Sequence, residues 1–369
     1  MPHLGFAIFV FVVFCVPDLI WWRWADRRVR DTRWARVVVA LFIVTMMSMP
    51  LTLVFFRSFA LRSHEFFPMA YTSAAMSWHF LLLPATLLIM LASRVRRTPT
   101  VESRRGFLVG AVALGPPIAT GITVATTMPL LRNLRQRDID VPVPGLPPAL
   151  DGMTIAHVSD LHVGKFTRES CLARAVELTN AIEADLVLGT GDLIDLSSRD
   201  VPQAIDFLER LDPRSGHFLC EGNHDLIDSP RAFYEQMERC DVPVLRGQER
   251  VVEVRGEPVQ LVGAPWMGTP QDRPVARDDA FPILLAHHPH DFDDADGFKL
   301  VVAGHTHGGQ LMLNEQLGFG PLLYKYWSGL YTKPDRSLVV SNGVGHWFPV
   351  RTAAPAEVLK LTLRRADSA

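Results

Sequence analysis

Gly304-His305-Thr306-His307-Gly308-Gly309-Gln310 follows directly on the apolar run Leu300-Val301-Val302-Ala303. A short apolar run ended by glycine reads as a buried strand. Two imidazoles one residue apart just beyond it stand where an α/β sheet presents its ligand-binding loops. Four more motifs are placed the same way. Asp160-Leu161-His162 follows a strand expected at 153–158, Gly191-Asp192 one at 186–189, and Gly222-Asn223-His224-Asp225 one at 217–220, while Ala286-His287 closes one at 283–286. Further strands are expected at 259–262, 338–341 and 357–363, and helices at 168–182, 201–211 and 230–239. Pro202 and Pro230 fit a helix only in its first turn. This alternation predicts a mixed α/β domain over residues 150–369.

The motifs together supply two carboxylates (Asp160, Asp192), one amide oxygen (Asn223) and four imidazoles (His162, His287, His305, His307), with His224 and Asp225 beside them. Imidazole and carboxylate oxygen suit Mn, Fe, Zn or Co, and the set is large enough for two such ions sharing a carboxylate. Singly, each motif is a common turn or strand end; five in this order are not. Gly191, Gly222 and Gly304 let the backbone turn sharply and approach the site closely.

With SDLHVG, GDLID, GNHD, the lone His287, GHTHGGQ and the closing SNGVG before Pro349-Val350-Arg351, residues 150–363 resemble the calcineurin-like metallophosphoesterase superfamily, in its bacterial membrane-anchored branch. The resemblance implies a four-layer α/β/β/α sandwich with two divalent metal ions at its crest. It implies that Asp160, His162, Asp192 and His307 hold one ion, and that Asp192, Asn223, His287 and His305 hold the other, with Asp192 bridging. His224 then stands beside the metals to stabilise the transition state or protonate the leaving oxygen, and Asp225 is its candidate orienter. A paired metal centre activates water directly, so no protein nucleophile is needed. His157 and His346 are expected to be structural, and His288, on the opposite side of an extended segment from His287, to stay out of the site. Arg351 can meet a phosphate bidentately; the competing reading is a solvated or paired arginine.

The first 131 residues read differently. Apolar stretches at 6–22, 37–56, 69–92 and 106–131 each approach the roughly 20 residues that span a bilayer. The links after the first and third are dense in arginine (Arg23 to Arg36; Arg94, Arg96, Arg97, Arg104, Arg105), whereas the second has only Arg57 and Arg62. The bias of basic loops toward the cytoplasm places the N-terminus and the C-terminal domain outside it. Ser103-Arg104-Arg105-Gly106-Phe107-Leu108 resembles a twin-arginine export core, and a basic flank of the fourth span explains it equally. The prolines of 132–149 are expected to form a stiff, extended linker. His79 lies within the third span.

Residues 1–149 hold 16 arginines and no lysine against 7 carboxylates, and the remainder holds 21 basic against 32 acidic side chains. So acidic a domain is poorly suited to a nucleic-acid backbone. Four cysteines with no CxxC spacing give no disulfide scaffold. Three functions remain open: hydrolysis of a lipid or cell-envelope phosphodiester or pyrophosphate, an extracytoplasmic phosphomonoesterase or nucleotidase on soluble substrate, and a non-catalytic metal-binding receptor or scaffold. The complete ligand set argues against the last. Aromatics near 317–327 and Trp347-Phe348 suggest either loop packing or an apolar lip, with Phe319, Tyr326 and Trp327 its members.

Overall fold

The computed structural model describes residues 8–55, 68–95 and 102–366, and the chain forms two compact units, Met1–Pro129 and Leu130–Ala369. Among the described residues four helices are long and apolar enough to cross a membrane: Ile8–Val29, Arg33–Thr52, Met69–Leu91 and Val109–Leu130. The first runs past the expected end at residue 22, because Trp21, Ala25 and Val29 continue a buried stripe while the arginines between them face outward. Pro17 is accommodated in the first turn of Val16–Val29, after a π-helical turn at Phe11–Cys15. Asp18 is buried: Trp78 Nε1 donates to Oδ1 at 2.7 Å, and His79 Nε2 lies 2.9 Å from Oδ2. Arg57, Arg62, Arg96 and Arg97, which enter the orientation argument, lie outside the described residues.

The second unit packs two sheets face to face. One orders its strands β1-β11-β2-β3-β4, namely Leu134–Pro144, Ala356–Ala366, Thr154–Val158, Leu186–Thr190 and His217–Cys220. The other orders β5-β6-β7-β8-β10-β9, namely Gln248–Val254, Glu257–Gly263, Phe281–Leu285, Leu300–Ala303, Arg336–Val340 and Gly329–Lys333. The period of two assigns faces: Ile155, Leu186, Leu188, Leu359 and Leu361 of the first sheet meet Leu261, Ile283, Leu300, Val302 and Val339 of the second in one core. Ala156, Val158 and Val187 point the other way, against the helices Glu169–Ala181, Val201–Glu209 and Pro230–Met237. The outer face of the second sheet (Leu284, Val301, Leu338, Val340) is closed by Phe292, Ala295, Phe298 and Tyr326 from a short 3-10 turn and loops, so that layer is thin.

One segment departs from its expected role. The prolines near 142–148 do not form a free linker: Leu134–Pro144 is a strand paired in parallel with β11 over its whole length, from Leu134 opposite Ala356 to Pro144 opposite Ala366. An edge strand needs hydrogen bonds on one side only, so Pro142 and Pro144 are tolerated there. Val141 and Val143 are fully buried in the intersheet core.

Candidate metal centre

Three of the five motifs leave their strands in strained turns. Asp160 (φ 53°), His162 (φ 43°), Asp192 (φ 54°), His305 (φ 69°) and His307 (φ 50°) all adopt the left-handed region. Residues with a Cβ pay about 1–3 kcal/mol apiece there and persist only where surrounding contacts force them. Here the forcing is visible. A Cβ on Gly304 would stand 2.2 Å from Asp160 Oδ2, and one on Gly222 would stand 2.2 Å from Asp192 Oδ1. The backbone N–H of His305 donates to both Asp160 oxygens at 3.1 Å, and that of His224 to Asp192 Oδ1 at 2.8 Å.

The turns bring all seven expected ligand side chains together. His162 Nε2 and His307 Nε2 are 2.9 Å apart, with Asp160 Oδ1 3.3 Å from His307 Nε2. On the other side His287 Nε2 is 3.1 Å from Asn223 Oδ1, His305 Nδ1 is 3.0 Å from the same oxygen, and the two ring nitrogens are 3.1 Å apart. Asp192 Oδ2 reaches both groups, 3.5 Å from His162 Nε2 and 3.2 Å from His287 Nε2. Two donors each about 2.1 Å from one ion and roughly 90–110° apart stand about 3.0–3.4 Å from each other, so these spacings fit cation ligands. His287 Nδ1 lies 2.6 Å from the Thr190 carbonyl, which accepts a hydrogen bond from it and turns Nε2 toward the cluster.

Charge within the site follows burial and pairing. Burial opposes charge on Asp192, but His287 and His162 outweigh it and hold the carboxyl well below the carboxylate range. Burial likewise opposes charge on His287, yet Asp192 raises it to about 9. Burial and His287 push His305 down to about 3. His307 is pushed far down by burial, His162 and Arg351.

One expected role changes. Asp225 does not orient His224: its carboxylate accepts backbone N–H groups of Asp192, Leu193, Ile194 and Gly222 at 2.7–3.3 Å, tying two ligand loops together. The 3-10 turn His224–Leu226 sends neighbouring side chains to different sides. Asp195, which the sequence reading passed over, is the partner of His224. Its carbonyl accepts from His224 Nδ1 at 2.6 Å, and its Oδ1 lies 3.5 Å from that nitrogen and 3.7 Å from His162 Nδ1. Burial lowers His224, but Asp195 and Asp192 more than restore it, to about 9. The signal lay in GDLID, whose second carboxylate falls three residues after Asp192.

Arg351 resolves as paired. It is fully buried, donates to the carbonyls of Asn342, Gly345 and Ala354 at 3.0 Å, and meets His307 Nδ1 at 3.0 Å, so it cannot reach substrate. His157 is buried against Thr190 Oγ1, and His346 Nε2 lies 3.1 Å from the Leu131 carbonyl; both are structural. His288 stands beside the site, its ring centroid 4.9 Å from that of His305. Trp266, which the sequence did not single out, has its ring 5.4 Å from both His287 and His305.

Residues 153–309 match the family model of the calcineurin-like phosphoesterases. The chain carries a calcineurin-like metallophosphoesterase domain. The metallophosphoesterases generally use divalent metals, and the clusters Asp160–His162–His307 and Asp192–His287–His305 can hold them. The chain is 29% identical over 251 residues to a transmembrane protein with metallophosphoesterase domain of Danio rerio, a match covering 62% of this chain and 57% of that one. It is 25% identical to the protein of the same name from Bos taurus, across 99% of this chain and 90% of that one. Phosphodiesterase YaeI of Escherichia coli is 29% identical over 222 residues, 57% of this chain and 81% of that one. The chain thus spans just over half the length of its Danio rerio relative. Four apolar helices and these relatives mark it as a membrane protein.

Proposed function

We propose that this chain is a membrane-anchored phosphoesterase that uses two divalent transition-metal ions, Mn, Fe, Zn or Co, to hydrolyse a phosphodiester or pyrophosphate of a lipid or cell-envelope compound. The observation that carries the reading is the pair of donor clusters meeting at Asp192, whose Oδ2 lies 3.5 and 3.2 Å from an imidazole of each. Asp160, His162, Asp192 and His307 would hold one ion; Asp192, Asn223, His287 and His305 would hold the other. Bound there, the ions supply an activated water and neutralise phosphoryl charge. His224, with Nδ1 committed to Asp195, has Nε2 free to hydrogen-bond a phosphoryl or leaving-group oxygen and to give it a proton.

The rim supports an apolar substrate. Leu196, Ile227 and Met267, each next to or within three residues of a site residue, and Trp347, whose ring centroid lies 6.5 Å from that of His224, are between 44% and 84% exposed. Soluble proteins rarely ring a site with apolar side chains unless a partner covers them. The arginine bias of the links supports an extracytoplasmic domain.

Metal analysis of the purified full chain, joined to turnover of lipid-linked and soluble phosphoesters before and after chelation, tests the reading. Two bound ions, loss of turnover on chelation, recovery with manganese and preference for the lipid diester are expected. Preference for a soluble monoester would instead favour the nucleotidase reading, and metal binding without turnover the receptor reading.

A further inference from the structure

We infer that residues 313–323 form a docking lip that sits in the surface of the bilayer crossed by the chain's own helices. Five large apolar side chains of this segment face solvent: Leu313 (81% exposed), Leu317 (58%), Phe319 (45%), Leu322 (78%) and Leu323 (64%). Across those eleven residues Glu315 is the only charge. Tyr326 and Trp327, expected from sequence as lip members, are not part of it: Tyr326 is buried beneath the second sheet's cover, and Trp327 is half-buried.

The occupant follows from connectivity. Only Leu131, Arg132 and Asn133 separate the last apolar helix from β1, so β1 starts within about 14 Å of that helix end even when the link is fully extended. The lip lies at this same end of the domain. Arg135 and Arg137, at the start of β1, line one cavity of about 160 Å³ together with Met312, Glu315 and Gln316. A partner held so close at all times and offering apolar surface is lipid.

The lip is rigidly mounted. Phe319 N–H donates to the Leu311 carbonyl at 3.0 Å, and a Cβ on Gly309 would stand 2.4 Å from Gly320 Cα. The helix Phe319–Leu323 therefore packs directly on the turn that carries His307. Docking would fix the metal centre's height above the membrane. It concerns position rather than chemistry, so it stands or falls separately from the hydrolase reading.

The test uses the full chain in phospholipid vesicles, with Cys171 and Cys240 replaced by serine and a bimane label on Leu313→Cys, Leu322→Cys or Val251→Cys. Val251 is also apolar and 45% exposed, but it lies on β5, at the opposite edge of the second sheet from β9, about 24 Å away. Melting temperatures matching the unlabelled parent certify the fold. Lipids with a nitroxide near the headgroup are expected to quench positions 313 and 322 at least threefold more than 251. Equal quenching at all three positions overturns the inference. Weak quenching at 313 and 322 accompanied by cross-linking between chains at those positions also overturns it, by showing a second copy on the lip.

Discussion

Because His224 Nδ1 already has the Asp195 carbonyl at 2.6 Å, Asp195→Asn spares that bond while removing the negative charge 3.5 Å from it. Turnover should fall about 10–100-fold, as for other groups that orient site histidines, with a shifted rate–pH profile and little change in melting temperature. Asp225→Ala should do the reverse. It strands four buried N–H groups, and at an overall cost of about 3 kcal/mol the melting temperature drops by roughly 6–12 °C. An Asp225→Ala protein that melts with the parent but has lost turnover would restore the catalytic role expected from sequence. The convergence of the seven candidate ligands was legible because their chemistry is carried by short motifs at strand ends. The Asp195 and Asp225 roles were not, because adjacency in a 3-10 turn says little about where side chains meet. Acid stability belongs to other residues: burial holds His157 and His217 down to about 3. Each contributes stability that is complete above the unfolded value near 6.5 and is lost as pH falls toward 3, by about 1.4 kcal/mol per pH unit. The melting temperature should therefore fall more steeply between pH 6 and 4 in the parent than in His217→Phe; parallel slopes would show that burial of His217 does not set acid stability.

Eight strands and three helices of the α/β unit were expected from apolar period and length, and each is present within a few residues. The three strands that escaped, β1, β5 and β9, are all edges of their sheets. Edge strands carry charge that discourages pairing with other chains, and Leu134–Pro144 and Gln248–Val254 accordingly mix Arg, Asp and Glu into the pattern that identifies a strand. The fourth edge, β4, was legible because all four of its residues are buried. In the apolar helices the opposite holds, for there a polar residue is the informative one. Asp18 and His79 each fall near the middle of their helix, are 0% and 6% exposed, and occur at or just after π-helical turns. Asp18→Leu leaves Trp78 Nε1 and His79 Nε2 without their shared acceptor, and His79→Leu takes one of two partners from the buried Asp18 carboxyl; each should cost about 1–2 kcal/mol. The double substitution removes both polar groups and should cost less than the sum, in denaturant unfolding of the detergent-solubilised chain. Additive losses would mean that the two do not interact.

At the scale of the whole chain, the strand that replaces the expected linker decides where the α/β unit begins. A chain cut at residue 150, the expected domain start, lacks β1 and with it Val141, Val143 and Leu146, all buried in the core between the sheets. At about 1.5–3 kcal/mol for each fully buried aliphatic side chain, the loss is roughly 5–9 kcal/mol, comparable with the whole stability of a typical domain. It also uncovers the length of β11, an eleven-residue strand whose Leu359, Leu361 and Leu363 line that core, and so presents an apolar edge open to other chains. A chain beginning at Leu131 keeps every one of these contacts, including the Leu131 carbonyl that meets His346 at 3.1 Å. Residues 131–369 should therefore be recovered soluble and monomeric with a cooperative melt, whereas residues 150–369 should aggregate or lose that transition in the same buffer. Equal yields and equal melting temperatures for the two would show that β1 is a passive tether after all.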